Sequence, residues 1–278
     1  MPSLPKLIAL DLDRTLLPVD EQRIPDINLQ ALRELHAAGV LLAVITGRRR
    51  TTLEPYMEQI GLPILAGSNS GTQLWQLPDW TRLDSRPLEH GVMERAVALL
   101  EPHSLNIYFE WDDADPMDFA WLRRAESTLQ TRYFSEYGLR GGMLASLAEL
   151  PRREVLQLSM PGPEELVLDC LKLMRRELGS ELFAECVLWP RMPCHALELF
   201  HPDGNKGWAL ARLAELHGIA IADTMAVGDD TNDLPMLAAA GHSLAMGHAH
   251  PQALRLATQV LPDEGEQALG RYLLSLLA

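Results

Sequence analysis

Asp11 and Asp13 sit two residues apart, directly after the apolar run Leu7-Ile8-Ala9-Leu10. A short apolar run that ends in acid predicts a buried parallel strand delivering two carboxylates to its C-terminal end. Side chains alternate along a strand, so the pair starts on one face. Close carboxylates repel and raise one another's pKa unless a cation lies between them. That arrangement is costly for a structural strand and suits a magnesium-assisted nucleophile with a neighbouring proton carrier.

Three further groups have the same placement at strand ends. Thr46-Gly47-Arg48 follows the run Val40–Ile45, where a hydroxyl and a glycine N–H can donate to a phosphate oxygen. Gly204-Asn205-Lys206-Gly207 opens a helix. A helix N-terminus attracts anions and disfavours lysine, so Lys206 makes best sense beside an anion or a carboxylate. Gly228-Asp229-Asp230-Thr231-Asn232-Asp233 follows Met225–Val227. One residue of Asp230 and Thr231 suffices as a helix cap. The surplus carboxylates point to a hard cation with oxygen ligands, and magnesium is the expected one.

The elements that must position these groups alternate strand and helix. At the N-terminal end they are strands at 7–10, 40–45 and 63–66. The helices between them lie near 27–35, ended by Gly39, and at 51–60, ended by Gly61. At the C-terminal end, strands are expected at 196–200, 225–227 and 243–246, with helices at 206–217, 234–240 and 267–277. This rhythm predicts a parallel sheet with right-handed crossovers, whose ligands bind beyond the C-terminal strand ends. The middle of the chain breaks the rhythm. It carries strand candidates at 105–111 and 154–160, helix candidates at 91–100 and 164–178, and most of the aromatic residues. The expected fold is α/β: a Rossmann-like parallel core from residues 1–83 and 191–278, with an α+β domain inserted at 84–190.

Composition narrows the partners. The 278 residues carry a formal charge of −14, with 47% hydrophobic and 22% charged residues. That balance describes a globular chain and argues against an extended nucleic-acid binder. No apolar run is long enough to span a bilayer, and no signal-like segment precedes Asp11, so no membrane role and a cytoplasmic setting are expected. Cys170, Cys186 and Cys194 are too few for a disulfide framework and read as buried thiols. Only three lysines occur, Lys6, Lys172 and Lys206. The first two read as surface residues, whereas Lys206 marks a need for a compact charge.

Taken in order, Asp11-x-Asp13-x-Thr15, Thr46, Lys206 and Gly228-Asp229-x-x-Asn232-Asp233 resemble the haloacid dehalogenase (HAD) superfamily of phosphohydrolases. Ile45-Thr46-Gly47-Arg48, Asn69-Ser70-Gly71, Asn205-Lys206-Gly207 and Ala245-Met246-Gly247 resemble its Cof-type branch, and the insertion falls where members carry the type-two cap. The resemblance implies a Mg²⁺-dependent phosphatase acting through an aspartyl-phosphate. In that scheme Asp11 is the nucleophile, Asp13 the general acid/base and Lys206 the catalytic cation. Thr46, Gly47, Arg48 and Asn232 contact phosphate or substrate, and Asp11, Asp13 (through its backbone carbonyl), Asp229 and Asp233 serve the metal. The implied partner is a small phosphorylated metabolite, with sugar phosphates first and phosphorylated cofactors next. A sugar phosphomutase and a non-enzymatic phospho-acceptor receiver are the alternatives.

Two positions depart from the family pattern. Arg14 stands where glycine is frequent and is expected at the cap interface, the substrate or the surface. His248 stands where asparagine is frequent and, with His242 and His250, reads as a loop histidine. In the inserted domain, Asp112, Asp113, Asp115 and Asp118 read as a solvated loop. Tyr108, Phe109, Trp111 and Trp121 read as core.

Overall fold

The computed structural model describes residues 4–18, 23–111, 119–122, 140–189, 194–262 and 267–278. The chain divides into two compact units, Met1–Ser85 with Asn205–Ala278, and Arg86–Gly204.

The first unit is built on one eight-stranded sheet. Its strands are β1 (Leu7–Leu10), β2 (Leu41–Ile45), β3 (Leu65–Ser68), β4 (Gln73–Gln76), β5 (Thr81–Ser85), β12 (Thr224–Gly228), β13 (His242–Ala245) and β14 (Gln259–Val260), in the order β14-β13-β12-β1-β2-β3-β4-β5. The six from β14 to β3 are parallel, and the hairpin β4–β5 adds an antiparallel edge. All four residues of β1 are fully buried, as expected of a parallel strand covered on both faces. Each leucine or isoleucine buried in this way contributes about 1.5–3 kcal/mol.

From β1 the chain advances through α1 (Asp26–Ala37), β2, α2 (Arg50–Ile60) and β3 toward one edge. After the insertion it returns with α5 (Lys206–Leu216), β12, α6 (Leu234–Ala239), β13 and α7 (Pro251–Leu256) toward the other edge. The direction of winding therefore reverses between β1 and β12, which are paired in register from Leu7–Thr224 to Leu10–Val227. Such a reversal opens a crevice beyond the strand ends. The closing helix α8 (Ala268–Ser275) packs on α1. Gly39, Gly61 and Gly218 each end a helix at positive φ, the left-handed stop that glycine adopts without a Cβ penalty.

The second unit holds a six-stranded sheet of order β10-β11-β9-β6-β7-β8: β6 (Ile107–Glu110), β7 (Phe119–Leu122), β8 (Gly141–Leu144), β9 (Gln157–Gly162), β10 (Phe183–Trp189) and β11 (Cys194–Phe200). All its pairings are antiparallel except β7–β8. Helices α3 (His90–Leu100) and α4 (Glu164–Leu178) share a core with Phe109, Leu158 and Leu197. Strand alternation sends Tyr108, Ser159 and Glu198 to the opposite face, where Ser159 Oγ donates to Glu110 Oε1 at 2.8 Å.

The structure departs from several of these expectations. The strand expected at 196–200 and assigned to the parallel core runs over Cys194–Phe200 and pairs with β10 and β9 in the inserted unit. The segment Ala196-Leu197-Glu198-Leu199-Phe200 announces a strand but not its partners, and these are supplied by the middle of the chain. Of the aromatic residues, Phe109 and Trp111 are core. Tyr108 is equally buried but lies on the other face, stacked on the half-buried Trp121 with centroids 6.4 Å apart. Cys186 and Cys194 are free and only half-buried, and they do not face each other: Cys186 lies opposite Leu197, and Cys194 opposite Trp189. The acidic run Asp112, Asp113, Asp115 and Asp118 lies outside the described residues.

Candidate active site

The reversal between β1 and β12 places Asp11 and Asp229 side by side. Asp11 follows β1 directly, and its N–H donates to the Val227 carbonyl at 2.9 Å, continuing the ladder one residue beyond the strand. Asp229 follows β12 in the same manner. Both side chains are buried.

Lys206, the first residue of α5, is only 1% exposed and lies between two carboxylates. Its Nζ donates to Asp11 Oδ1 at 2.5 Å and to Asp233 Oδ1 at 2.6 Å. The lysine at a helix N-terminus thus has the anionic neighbours its sequence position called for. Asn205 caps the same helix, its Oδ1 accepting from the N–H groups of Gly207 and Trp208 at 2.9 and 3.0 Å, as an N-cap asparagine does. Burial pulls the Lys206 ammonium down, but Asp11 and Asp233 outweigh it and raise its pKa, so the ammonium stays charged. Burial pushes the Asp11 carboxyl well above its ordinary range; Lys206 opposes this, while Asp233, Asp229 and Asp13 add to the rise.

Asp233 is tied down completely. Its Oδ2 accepts from the Asp229 and Asp230 N–H groups at 2.9 and 3.0 Å, and its Oδ1 holds Lys206. Asp230 supplies the helix cap that one residue of this turn was expected to supply. The turn closes only because residue 228 is glycine: a Cβ there would lie 2.5 Å from Asp233 Cγ.

Asp229 is held by a residue to which the sequence reading gave no role. Thr15 Oγ1 donates to Asp229 Oδ1 at 3.1 Å. The other oxygen, Oδ2, is buried without a hydrogen bond. Burial, with Asp233 next, pushes this carboxyl up to about 7, Arg14 and Lys206 working against the rise.

Asp11, Asp229 and Asp233 form a group whose candidate ligand oxygens lie within 4.8 Å of one another. An all-oxygen carboxylate set suits a hard cation, and the unsatisfied Asp229 Oδ2 is the kind of buried acceptor a cation relieves. The residues present therefore fit a divalent ion. The Asp13 carboxylate lies outside this group. It accepts a two-pronged hydrogen bond from Arg48, Nε to Oδ2 at 2.8 Å and Nη2 to Oδ1 at 2.5 Å, and remains 47% exposed. Arg48 also lies over the Tyr56 ring, 4.6 Å from its centroid, and Asp13 and Tyr56 hold its charge firmly against burial.

Thr46 is buried, its Oγ1 accepting from the Arg48 N–H at 3.2 Å. A Cβ on Gly47 would lie 3.7 Å from both Asn232 Nδ2 and Ser70 Oγ, so two polar groups border this glycine. Ser70, named above only within the Cof-type run Asn69-Ser70-Gly71, borders the same glycine. Residues 69–71 all take positive φ, and the N–H groups of Asn69 and Ser70 dock on the carbonyls of Arg48 and Thr46 at 2.8 and 3.0 Å. The histidines form no cluster: His250 Nδ1 caps α7, and His248 Nε2 donates to the Arg14 carbonyl at 2.9 Å. Lys6 and Lys172 make exposed pairs with Asp223 and Asp169.

The family described as haloacid dehalogenase-like hydrolase matches the chain across residues 8–273. The chain belongs to that family. Among curated HAD relatives, an HMP-PP phosphatase of Cronobacter sakazakii is 30% identical, the match covering 96% of this chain and 94% of the relative. A pyridoxal phosphate phosphatase of Escherichia coli is 26% identical, covering 97% and 98%. In fold, a HAD phosphatase from Bacteroides thetaiotaomicron superposes with a TM-score of 0.79 over 98% of this chain and 95% of that one, at 21% identity. On the family match and these relatives, the chain is a phosphatase of the Cof-type HAD branch. A receiver protein, one of the alternatives drawn from sequence, is set aside by the hydrolase match along almost the whole chain. Among the described residues, no helix is long and apolar enough to cross a membrane.

Proposed function

We propose that this phosphatase is Mg²⁺-dependent, cytoplasmic, and hydrolyses a small phosphorylated metabolite through a phosphorylated Asp11. The observation that carries the reading is the buried Lys206 ammonium held between Asp11 and Asp233, beside an Asp229 oxygen that no hydrogen bond satisfies.

Asp11 is the nucleophile. Its Oδ1 is fixed by Lys206, and among the described residues its carboxylate has no other hydrogen-bond partner. Fixing the carboxylate on a rigid strand end removes the entropy of orienting it. Lys206 offsets the repulsion between carboxylate and phosphate and stabilises the charge that develops on the equatorial oxygens. Asp11 and Asp229, with the Asp13 carbonyl and Asp233 in support, would hold a magnesium ion, which when bound would further neutralise that charge. Thr15 and Asp233 orient Asp229 for this task. Thr46, Gly47, Arg48 and Asn232 contact the phosphate and substrate.

Asp13 is the general acid/base. It protonates the leaving oxygen, then takes a proton from the water that cleaves the acyl phosphate. Its half-exposed carboxylate suits a group that must meet solvent and leaving group in turn. Arg48 orients it, and each oxygen keeps a lone pair beyond the one Arg48 occupies.

The sequence favours a sugar phosphate, whereas curated relatives bear the names of HMP-PP, pyridoxal phosphate and 5-amino-6-(5-phospho-D-ribitylamino)uracil phosphatases. The deciding experiment is a panel holding all these classes, assayed for phosphate release with Mg²⁺, with EDTA and with Asp11→Asn. Release that needs both Mg²⁺ and Asp11 supports the reading. Isomerisation of a sugar phosphate without free phosphate would point instead to the mutase. Unchanged turnover by folded Asp11→Asn would refute the nucleophile.

A further inference from the structure

Arg14 follows Asp13 with a backbone φ of +61°, a conformation that disfavours any residue with a Cβ. Its side chain nevertheless turns to the acidic group: Nε lies 3.5 Å from Asp229 Oδ2. That is the oxygen with no hydrogen bond, Thr15 having taken the other one. His248 braces the strained turn by donating to the Arg14 carbonyl at 2.9 Å, and its ring nitrogen lies 4.0 Å from the same Oδ2. The contact is an ion pair without a hydrogen bond, and the arginine side chain is 45% exposed. Nearly half exposed and without a hydrogen bond to Asp229, it can turn from that carboxylate toward solvent.

We propose that Arg14 is a built-in counter-cation that competes with the metal ion for Asp229 Oδ2 and lowers the site's affinity for divalent cations. The inference rests on the metal reading above. Without Arg14, three buried carboxylates face the single ammonium of Lys206, and a divalent ion fills the deficit. With Arg14, part of that deficit is already filled by a charge that the incoming ion must displace or tolerate. Two cations beside one carboxylate repel, the more so because the acidic side chains here are out of water.

The test is calorimetric titration of Mg²⁺ into the full-length, chelator-stripped protein at fixed ionic strength. Arg14→Gln removes the charge and keeps much of the bulk. Arg14→Gly also removes it and adopts φ +61° without strain, which guards against a folding defect. Arg14→Lys keeps the charge. We expect both neutral variants to bind Mg²⁺ about tenfold more tightly than wild type, about 1.4 kcal/mol, and Arg14→Lys to stay within about twofold. Added salt should narrow the difference, because the arginine side chain is 45% exposed. Equal or weaker binding by both neutral variants, with wild type binding normally, overturns the role of Arg14 and leaves the metal reading intact. If wild type, Arg14→Gln and Arg14→Gly all fail to bind Mg²⁺, the metal reading itself fails and takes this inference with it.

Discussion

Replacing Lys206 by arginine should damage this enzyme nearly as much as replacing it by alanine. Nζ fits between Asp11 Oδ1 and Asp233 Oδ1 at 2.5 and 2.6 Å, and the side chain is 1% exposed. A guanidinium is longer and planar, with its donors in a fixed fork. It gains room only if α5 withdraws. The helix start is pinned at two points: Asn205 caps it, and a Cβ on the next residue, Gly207, would already lie 2.6 Å from the Pro235 carbonyl oxygen. Arginine must therefore displace Asp11 or Asp233, or swing out of the site. Either outcome removes a preorganised cation from the reacting phosphate. Loss of one such group costs on the order of a hundredfold to a thousandfold in rate, about 3–4 kcal/mol. The assay is steady-state kcat/KM of wild type, Lys206→Arg and Lys206→Ala on the best substrate of the panel, with folding checked by circular dichroism. Both variants should fall by about a hundredfold or more. If Lys206→Arg retains most of the activity, the site needs only positive charge, and the steric reasoning is wrong.

Activity should require Mg²⁺ and vanish with EDTA, while excess Ca²⁺ should inhibit because it prefers longer bonds and more ligands; full turnover in Ca²⁺ alone would contradict this. Gly228→Ala should lower thermal stability by about 1–3 kcal/mol, the usual range for overpacking, and reduce turnover, since its Cβ meets Asp233 Cγ at 2.5 Å; a melting temperature and kcat like wild type would show that the turn yields freely. Asp229 is raised to about 7, so the metal-free fold binds a proton there that the unfolded chain releases near pH 4. Stability from this group is present below pH 4 and lost as pH rises toward 7, by up to about 4 kcal/mol. Chemical denaturation with EDTA across that range should show the decline in wild type and a flatter profile in Asp229→Asn, and equal slopes would refute the assignment.

Two parts of the site that sequence made legible share one property: each is a short apolar run followed at once by chemically loaded residues. Leu7–Leu10 before Asp11, and Met225–Val227 before Asp229, declare both a buried strand and its exit. Lys206 was legible because a helix N-terminus repels a lysine that lacks an anion. What stayed hidden depends on contacts between distant segments. That Thr15 holds Asp229, and that Arg48 grips Asp13, follows from loops meeting across the sheet, 214 and 35 residues apart. The strand at 194–200 was visible as a strand, but its sheet was fixed by partners at 157–162 and 183–189. The hairpin at 73–85 escaped because Gln73–Gln76 and Thr81–Ser85 form an edge whose polar residues blur the alternation. Arg14 shows a different limit. Its left-handed backbone explains why glycine is the easy choice there, while its contact with Asp229 needed coordinates.

The proposed mechanism turns on attack of the Asp11 carboxylate on phosphorus. Its most direct test is acid quenching during steady-state turnover, followed by tryptic digestion and fragment-ion mass spectrometry. Cleavage after Lys6 and Arg14 releases Leu7–Arg14, which contains both Asp11 and Asp13. One phosphoryl group is expected on this peptide, assigned by its fragments to Asp11 and absent from the Asp11→Asn protein. Phosphate on Asp13, or an unmodified peptide throughout turnover together with an active Asp11→Asn variant, would contradict it.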